Sequence, residues 1–97
     1  IPDPRALDAL ERMTATNETR DLRGTALQLL ARAGNPARAT AVALRAVGDY
    51  DPLFAVQAVR TAAQVGGAGA RAKLAEALRT ETRVTVRAAI QEALAVH

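Results

Sequence analysis

Apolar residues recur at helical spacing along most of this chain: Leu22, Ala26, Leu29, Leu30 and Ala33 form one stripe, and Val42, Ala43, Ala46 and Val47 another. Intervals of three and four place such residues on one face of an α-helix. No run alternates as a strand does, and the β-branched cluster from Thr82 to Val86 opens a helix whose Val86, Ile90 and Leu94 share a face. Breaks between the stripes are equally regular. Asp3-Pro4, Asn35-Pro36 and Asp51-Pro52 each set a capping side chain before a proline, whose missing N–H is harmless at the first helical position. Gly34, Gly48 and Gly66-Gly67 stand where stripes stop, at points where a residue tolerating positive φ closes a last turn. The pattern predicts six helices, at 4–15, 20–33, 36–47, 52–65, 68–80 and 83–96.

Shifted against itself by 32 residues, the chain superimposes its apolar positions: Leu10, Val42 and Leu74; Leu22, Phe54 and Val86; Ala26, Ala58 and Ile90; Leu30, Ala62 and Leu94. Gly34 falls on Gly66. Two helices per fixed period mark a solenoid, whose units bury their faces only against neighbours and need about three copies for stability. The same alignment replaces Ala39, Ala41, Leu44 and Val47 by Arg71, Lys73, Glu76 and Arg79, and Leu27 and Val59 by Gln91. A terminal unit needs a polar outer face, so the third unit is expected to cap the array, with the second enclosed. A rival reading, in which the chain is cut from a longer array, stays open at the N-terminal side, where Leu7, Leu10 and Met13 would meet a preceding unit.

These residues carry a family resemblance. Asp49-Tyr50-Asp51-Pro52-Leu53-Phe54-Ala55 resembles the D-x-D-P-x-V-R turn of HEAT-like repeats, and Gly34-Asn35-Pro36-Ala37-Arg38-Ala39 resembles their G-D-P-R-A connection. The chain is similar to the short-period bacterial HEAT-like repeats, the kind also found in phycobilisome lyases. The resemblance implies an all-α fold, a right-handed α-solenoid of three helical hairpins, with repeats at about 3–34, 35–66 and 67–97 in one domain of a longer protein. It also implies that an arginine opening each second helix pairs with turn acids of neighbouring units. Those positions are Arg23, Ala55 and Arg87 for the arginine and Asn17, Asp49 and Glu81 for the acid. Asp49 is therefore expected to contact Arg23 or Arg87, with Ala55 leaving the middle rung missing and Asp51 beside it in the turn.

Composition narrows the function. The 97 residues suffice for one domain. Twenty-four are alanine and only 2% aromatic, which suits closely stacked hairpins. Cysteine and serine are absent and histidine occurs once, at His97. Ser-His and Cys-His nucleophiles and multi-histidine metal sites are thereby excluded. The net charge of +3 is spread along the chain, and Tyr50 and Phe54 are its only aromatic residues, so a nucleic-acid partner is disfavoured. The longest uncharged run, Thr61 to Ala70, is far too short to span a membrane. The chain opens Ile1-Pro2-Asp3-Pro4, without an initiator methionine or a signal-peptide pattern. A cytoplasmic protein, trimmed or longer at its N-terminus, is expected.

Gly67-Ala68-Gly69 before a helix superficially suggests a phosphate cradle, but it lacks the dinucleotide and Walker contexts and aligns with the plain connection Asn35-Pro36. Asp49-Tyr50-Asp51 fails as a calcium loop because the twelfth position is Arg60. The carboxylate pairs Asp8 and Glu11, and Asp49 and Asp51, belong to helix faces and turns, where solvated or capping roles are commoner than acid-base work. No catalytic residue, cofactor or metal is therefore expected, and the chain is read as no enzyme. What remains is surface. Second helices usually line the concave side of such arrays, and their ridges carry Thr25, Gln57 and Ala89, then Gln28, Arg60 and Glu92, then Arg32 and Gln64. These mixed side chains suit another protein or peptide better than a small molecule. Two alternatives are phosphate-backbone binding through Arg71, Lys73, Arg79, Arg83 and Arg87, and, from the resemblance alone, a lyase or chaperone role on a tetrapyrrole-bearing protein.

Overall fold

The first four helices start where capping side chains stand, while the fifth follows Gly66 without one. The computed structural model describes residues 3–15 and 18–95. Among them lie α1 (Pro4–Met13), α2 (Arg20–Arg32), α3 (Pro36–Ala46), α4 (Pro52–Val65), α5 (Gly67–Leu78) and α6 (Val84–Ala95). Asp3 accepts from the Arg5 N–H, Thr19 from Leu22, Asn35 from Arg38, and Asp51 from both Leu53 and Phe54. Each side chain satisfies donors that a helix start leaves open. Gly34, at φ +82°, follows α2, and the corner between α4 and α5 is turned at Gly66 and Gly67, the latter at φ +60°.

α1 packs on α2, α3 on α4 and α5 on α6; α4 touches both α2 and α6, and α3 touches α5. The result is an all-α solenoid of three helical hairpins, with first helices in one layer and second helices in the other. Its Cα envelope of 36 × 28 × 16 Å is that of a slab two helices thick, since an axis separation of about 10 Å plus two Cα radii of about 2.3 Å gives nearly the short dimension. Alanine permits this approach: Ala26, Ala39, Ala43, Ala55, Ala58, Ala62 and Ala70 are all buried. Phe54, Leu27, Leu30, Leu74 and Ile90 fill the remaining volume.

Equivalent positions do not share one environment. Phe54 and Val86 are 0% exposed, whereas Leu22 is 44% exposed and Leu29 46%. The period placed Leu22 in the seam; the seam begins at Phe54. The cause is the neighbour, because α2 lies over α4 and α4 over α6, but among the described residues no helix lies over that side of α2. Leu7, which the rival reading would turn toward a preceding unit, is buried in this chain's own core, with Leu10 and Met13 half-buried. Ala89, expected on a surface ridge, is buried as well. Asn17 and His97 lie outside the described residues.

Candidate functional site

The hairpin turns form one edge of the slab, and arginines lace them together. Arg23, 2% exposed, donates from Nε to the Thr14 carbonyl at 3.0 Å and from Nη1 to Asp49 Oδ2 at 3.1 Å, while Nη2 reaches Asp49 Oδ1. Its guanidinium carbon stands 4.1 Å from the centre of the Phe54 ring and 5.8 Å from that of Tyr50. Asp49 thus pairs with Arg23 and not with Arg87. Burial pushes the Asp49 carboxyl up, but Arg23 and the Asp51 N–H outweigh it and hold the group below its ordinary value. Arg20 Nε meets Asp51 Oδ2 at 2.7 Å, and this bond lowers the Asp51 pKa.

Arg87 donates to the carbonyls of Leu78 and Glu81 at 2.9 and 2.8 Å; Leu78 stands two repeats beyond Thr14, so Arg23 and Arg87 bond the equivalent carbonyl of their own hairpins. In the middle hairpin Ala55 has no such reach. Arg83 of the following turn supplies the donors instead, from Nη1 to the Asp49 carbonyl and from Nη2 to that of Val47 at 3.0 Å. Its Nε also bonds Glu81 at 2.9 Å, and Arg83 holds the Glu81 carboxyl down to about 2. Among the described residues no buried side-chain N or O lacks a hydrogen-bond partner.

The carboxylates weighed for acid-base chemistry are likewise committed. Arg38 bonds Asp8 and, at 3.0 Å, Glu11, and Arg45 bonds Glu11 at 2.9 Å. The bond from Arg45, then that from Arg38, holds the Glu11 carboxyl below its usual range. A carboxyl kept ionised in this way is a poor proton donor near neutrality. These groups border a cavity of about 490 Å³ beside the first turn. Among the described residues no group of three or more His, Cys, Asp or Glu side chains is placed to hold a metal ion.

The second-helix layer is different in character. Thr25, Gln28 and Arg32 on α2, Gln57, Arg60 and Gln64 on α4, and Glu92 on α6 are all exposed. Three of them come together: Arg60, Gln64 and Glu92 border a groove of about 440 Å³ between α4 and α6, floored by Ala63, Ala89 and Ala93 and closed at one side by Arg71. Arg71 is anchored there by bonds to the Ala93 and Leu94 carbonyls at 3.0 and 2.6 Å. Thr25, Gln28 and Arg32 do not border this groove, and Gln57 lies over Gly24, with its Oε1 2.6 Å from where a Cβ would stand.

A family model described as HEAT repeats matches residues 7–95. The chain belongs to the HEAT-repeat family. HEAT repeats generally mediate protein–protein interaction or scaffolding, and the family is typically non-enzymatic. Comparison with curated proteins and with solved structures finds no match. No described helix of this HEAT-repeat chain is long and apolar enough to cross a membrane. Two features of it escaped the sequence reading. Arg71 was read as part of a polar outer face and instead walls the groove. The pairing of Arg38 and Arg45 with Asp8 and Glu11 left no signal in the repeat, because the equivalent positions one unit on are Thr40, Ala43, Ala70 and Ala77.

Proposed function

We propose that this chain is a non-enzymatic scaffold that receives an extended peptide or another protein's surface across its second-helix layer, centred on the groove between α4 and α6. One observation carries the reading: an apolar floor of Ala63, Ala89 and Ala93 lies between polar side chains of both kinds, all mounted on helices. A shallow apolar trough with a mixed rim fits a peptide backbone flanked by small side chains, and rigid mounting limits the ordering entropy that opposes association. The family's general role supports the same reading. Phosphate-backbone binding loses support because Arg71, Arg83 and Arg87 donate to main-chain carbonyls. The tetrapyrrole-lyase role implied by resemblance draws no support from any groove residue.

The test uses peptides selected against the chain by display and measured by fluorescence anisotropy. Arg60→Ala with Gln64→Ala should weaken them about tenfold or more, as truncating central contacts does, with thermal unfolding nearly unchanged. Peptides that bind the double variant as tightly as the parent would place the binding face elsewhere.

A further inference from the structure

Arg60 of α4 and Glu92 of α6 are one repeat apart, so they stand at the same level on neighbouring helices and border the groove from its two sides. Both are exposed, and neither pairs with a charged group among the described residues. No acidic residue stands three or four places from Arg60 and no basic one from Glu92, so neither charge is answered along its own helix. The first-helix layer bridges its facing charges directly, from Arg38 and Arg45 to Asp8 and Glu11. In the second-helix layer an open trough floored by Ala63, Ala89 and Ala93 lies between them instead.

We infer that the groove selects its occupant by charge order: an extended peptide with an acidic side chain against Arg60, a basic one beside it in sequence against Glu92, and, two residues from the acid, a polar side chain against Gln64. This rests on the peptide-binding reading above and names the partner's chemistry. In an extended chain successive side chains point to opposite sides, so a backbone lying along the alanine floor turns alternate residues toward α4 and toward α6. Residues two apart in such a chain are separated by about 6.6 Å. Arg60 and Gln64, four residues apart on α4, are separated by about 6 Å along the helix axis, and Ala89 and Ala93 of α6 are spaced likewise. The two periods match over the length of the groove. A helical occupant turns by about 100° per residue and does not set adjacent residues against opposite walls. Methyl groups on the floor accept any backbone, which leaves discrimination to the rim. A like charge at either wall is repelled, and an opposite one completes an ion pair that the chain itself does not make.

Selection of random displayed peptides against three chains tests this: the parent, Arg60→Glu and Glu92→Lys, which should melt alike because both residues are exposed. Peptides selected by the parent should carry an acid and a base side by side. Those selected by Arg60→Glu should exchange the acid for a base, and those selected by Glu92→Lys the base for an acid. By fluorescence anisotropy, replacing the acid of a parent-selected peptide with its amide should weaken binding to the parent about two- to fivefold, the range of an exposed ion pair. The same replacement should leave binding to Arg60→Gln unchanged, and replacing the base with Gln should leave binding to Glu92→Gln unchanged. Both effects should shrink in about 1 M salt, where exposed charges are screened. Peptides that lose affinity for Arg60→Ala with Gln64→Ala, yet carry no adjacent pair or the same pair against all three chains, would overturn the charge order and keep the groove as the binding face. Peptides indifferent to that double variant would overturn both.

Discussion

Arg23 is almost fully buried, and its guanidinium sits among a carboxylate, a carbonyl and two aromatic rings. A planar group with five donors can serve Thr14 and Asp49 together while stacking on Phe54; a lysine ammonium cannot. Removing one partner of a buried pair leaves the other charged and unsolvated, at a cost of about 3–5 kcal/mol. Arg23→Met should therefore lower the unfolding free energy by about that amount in urea titration. Asp49→Asn in the same background should recover part of it, and Arg23→Lys should recover little. Additive effects of the Arg23→Met and Asp49→Asn substitutions would show that the pair is not the source of the loss. That Asp49 pairs with an arginine opening a neighbouring second helix was legible from repeat alignment and family resemblance, but the choice between Arg23 and Arg87 was not. Nor was Arg83, because its equivalents are Thr19 and Asp51, both helix caps. Alignment therefore suggests a cap at a position where the third hairpin holds a donor reaching back one turn.

Helix starts are set by two or three adjacent residues, which is why the pattern located them closely: the cap and the proline act without tertiary help. The corner between α4 and α5 is a tertiary matter. A Cβ on Gly66 would lie 2.3 Å from the Ala70 Cβ, 2.7 Å from the Ala62 carbonyl oxygen and 2.8 Å from Thr40 Cγ2 of α3. Backbone and short side chains cannot swing away, so Gly66→Ala should destabilise the chain by about 1–3 kcal/mol, the range for overpacking. Gly69, inside α5, has nothing within 4 Å of its would-be Cβ, and Gly69→Ala should stabilise by about 0.5–1 kcal/mol through helix propensity. Chemical denaturation of both variants checks the contrast; equal shifts would mean that the corner is looser than these distances require. The sequence showed two glycines at the end of a stripe, but not that Thr40 closes on the first of them. The stripe on α2 has the same limit: period fixes which residues share a face, while the burial of Leu22 depends on a helix lying over it.

A solenoid is stabilised joint by joint, and the two joints here are chemically unlike. Between the first and second hairpins, Arg38 and Arg45 meet Asp8 and Glu11 while Arg20 and Arg23 meet Asp51 and Asp49. Between the second and third, the corresponding first-helix residues are Thr40 and Ala43 of α3 with Ala70 and Ala77 of α5, and Arg83 donates to carbonyls. Glu11, Asp49 and Asp51 all have carboxyl pKa values lowered by folding. In acid the unfolded chain therefore binds more protons, so the stability these groups contribute is complete above the unfolded carboxyl values and is lost as pH falls through the lower folded ones. The Glu81 carboxyl is also lowered, but its partner is Arg83 two residues away in the same turn, so the loss of that pair does not act across the second joint. Acidification from about pH 6 to about pH 3, across the unfolded carboxyl range, should thus loosen the first joint before the second. Hydrogen exchange followed by mass spectrometry, corrected for the intrinsic pH dependence of amide exchange, should show protection falling more in α1 and α2 than in α5 and α6. Local opening of this kind is expected where neighbouring units are unequally coupled. A uniform loss of protection along the chain would instead mean that the ion pairs at the first joint contribute no more than the alanine contacts at the second.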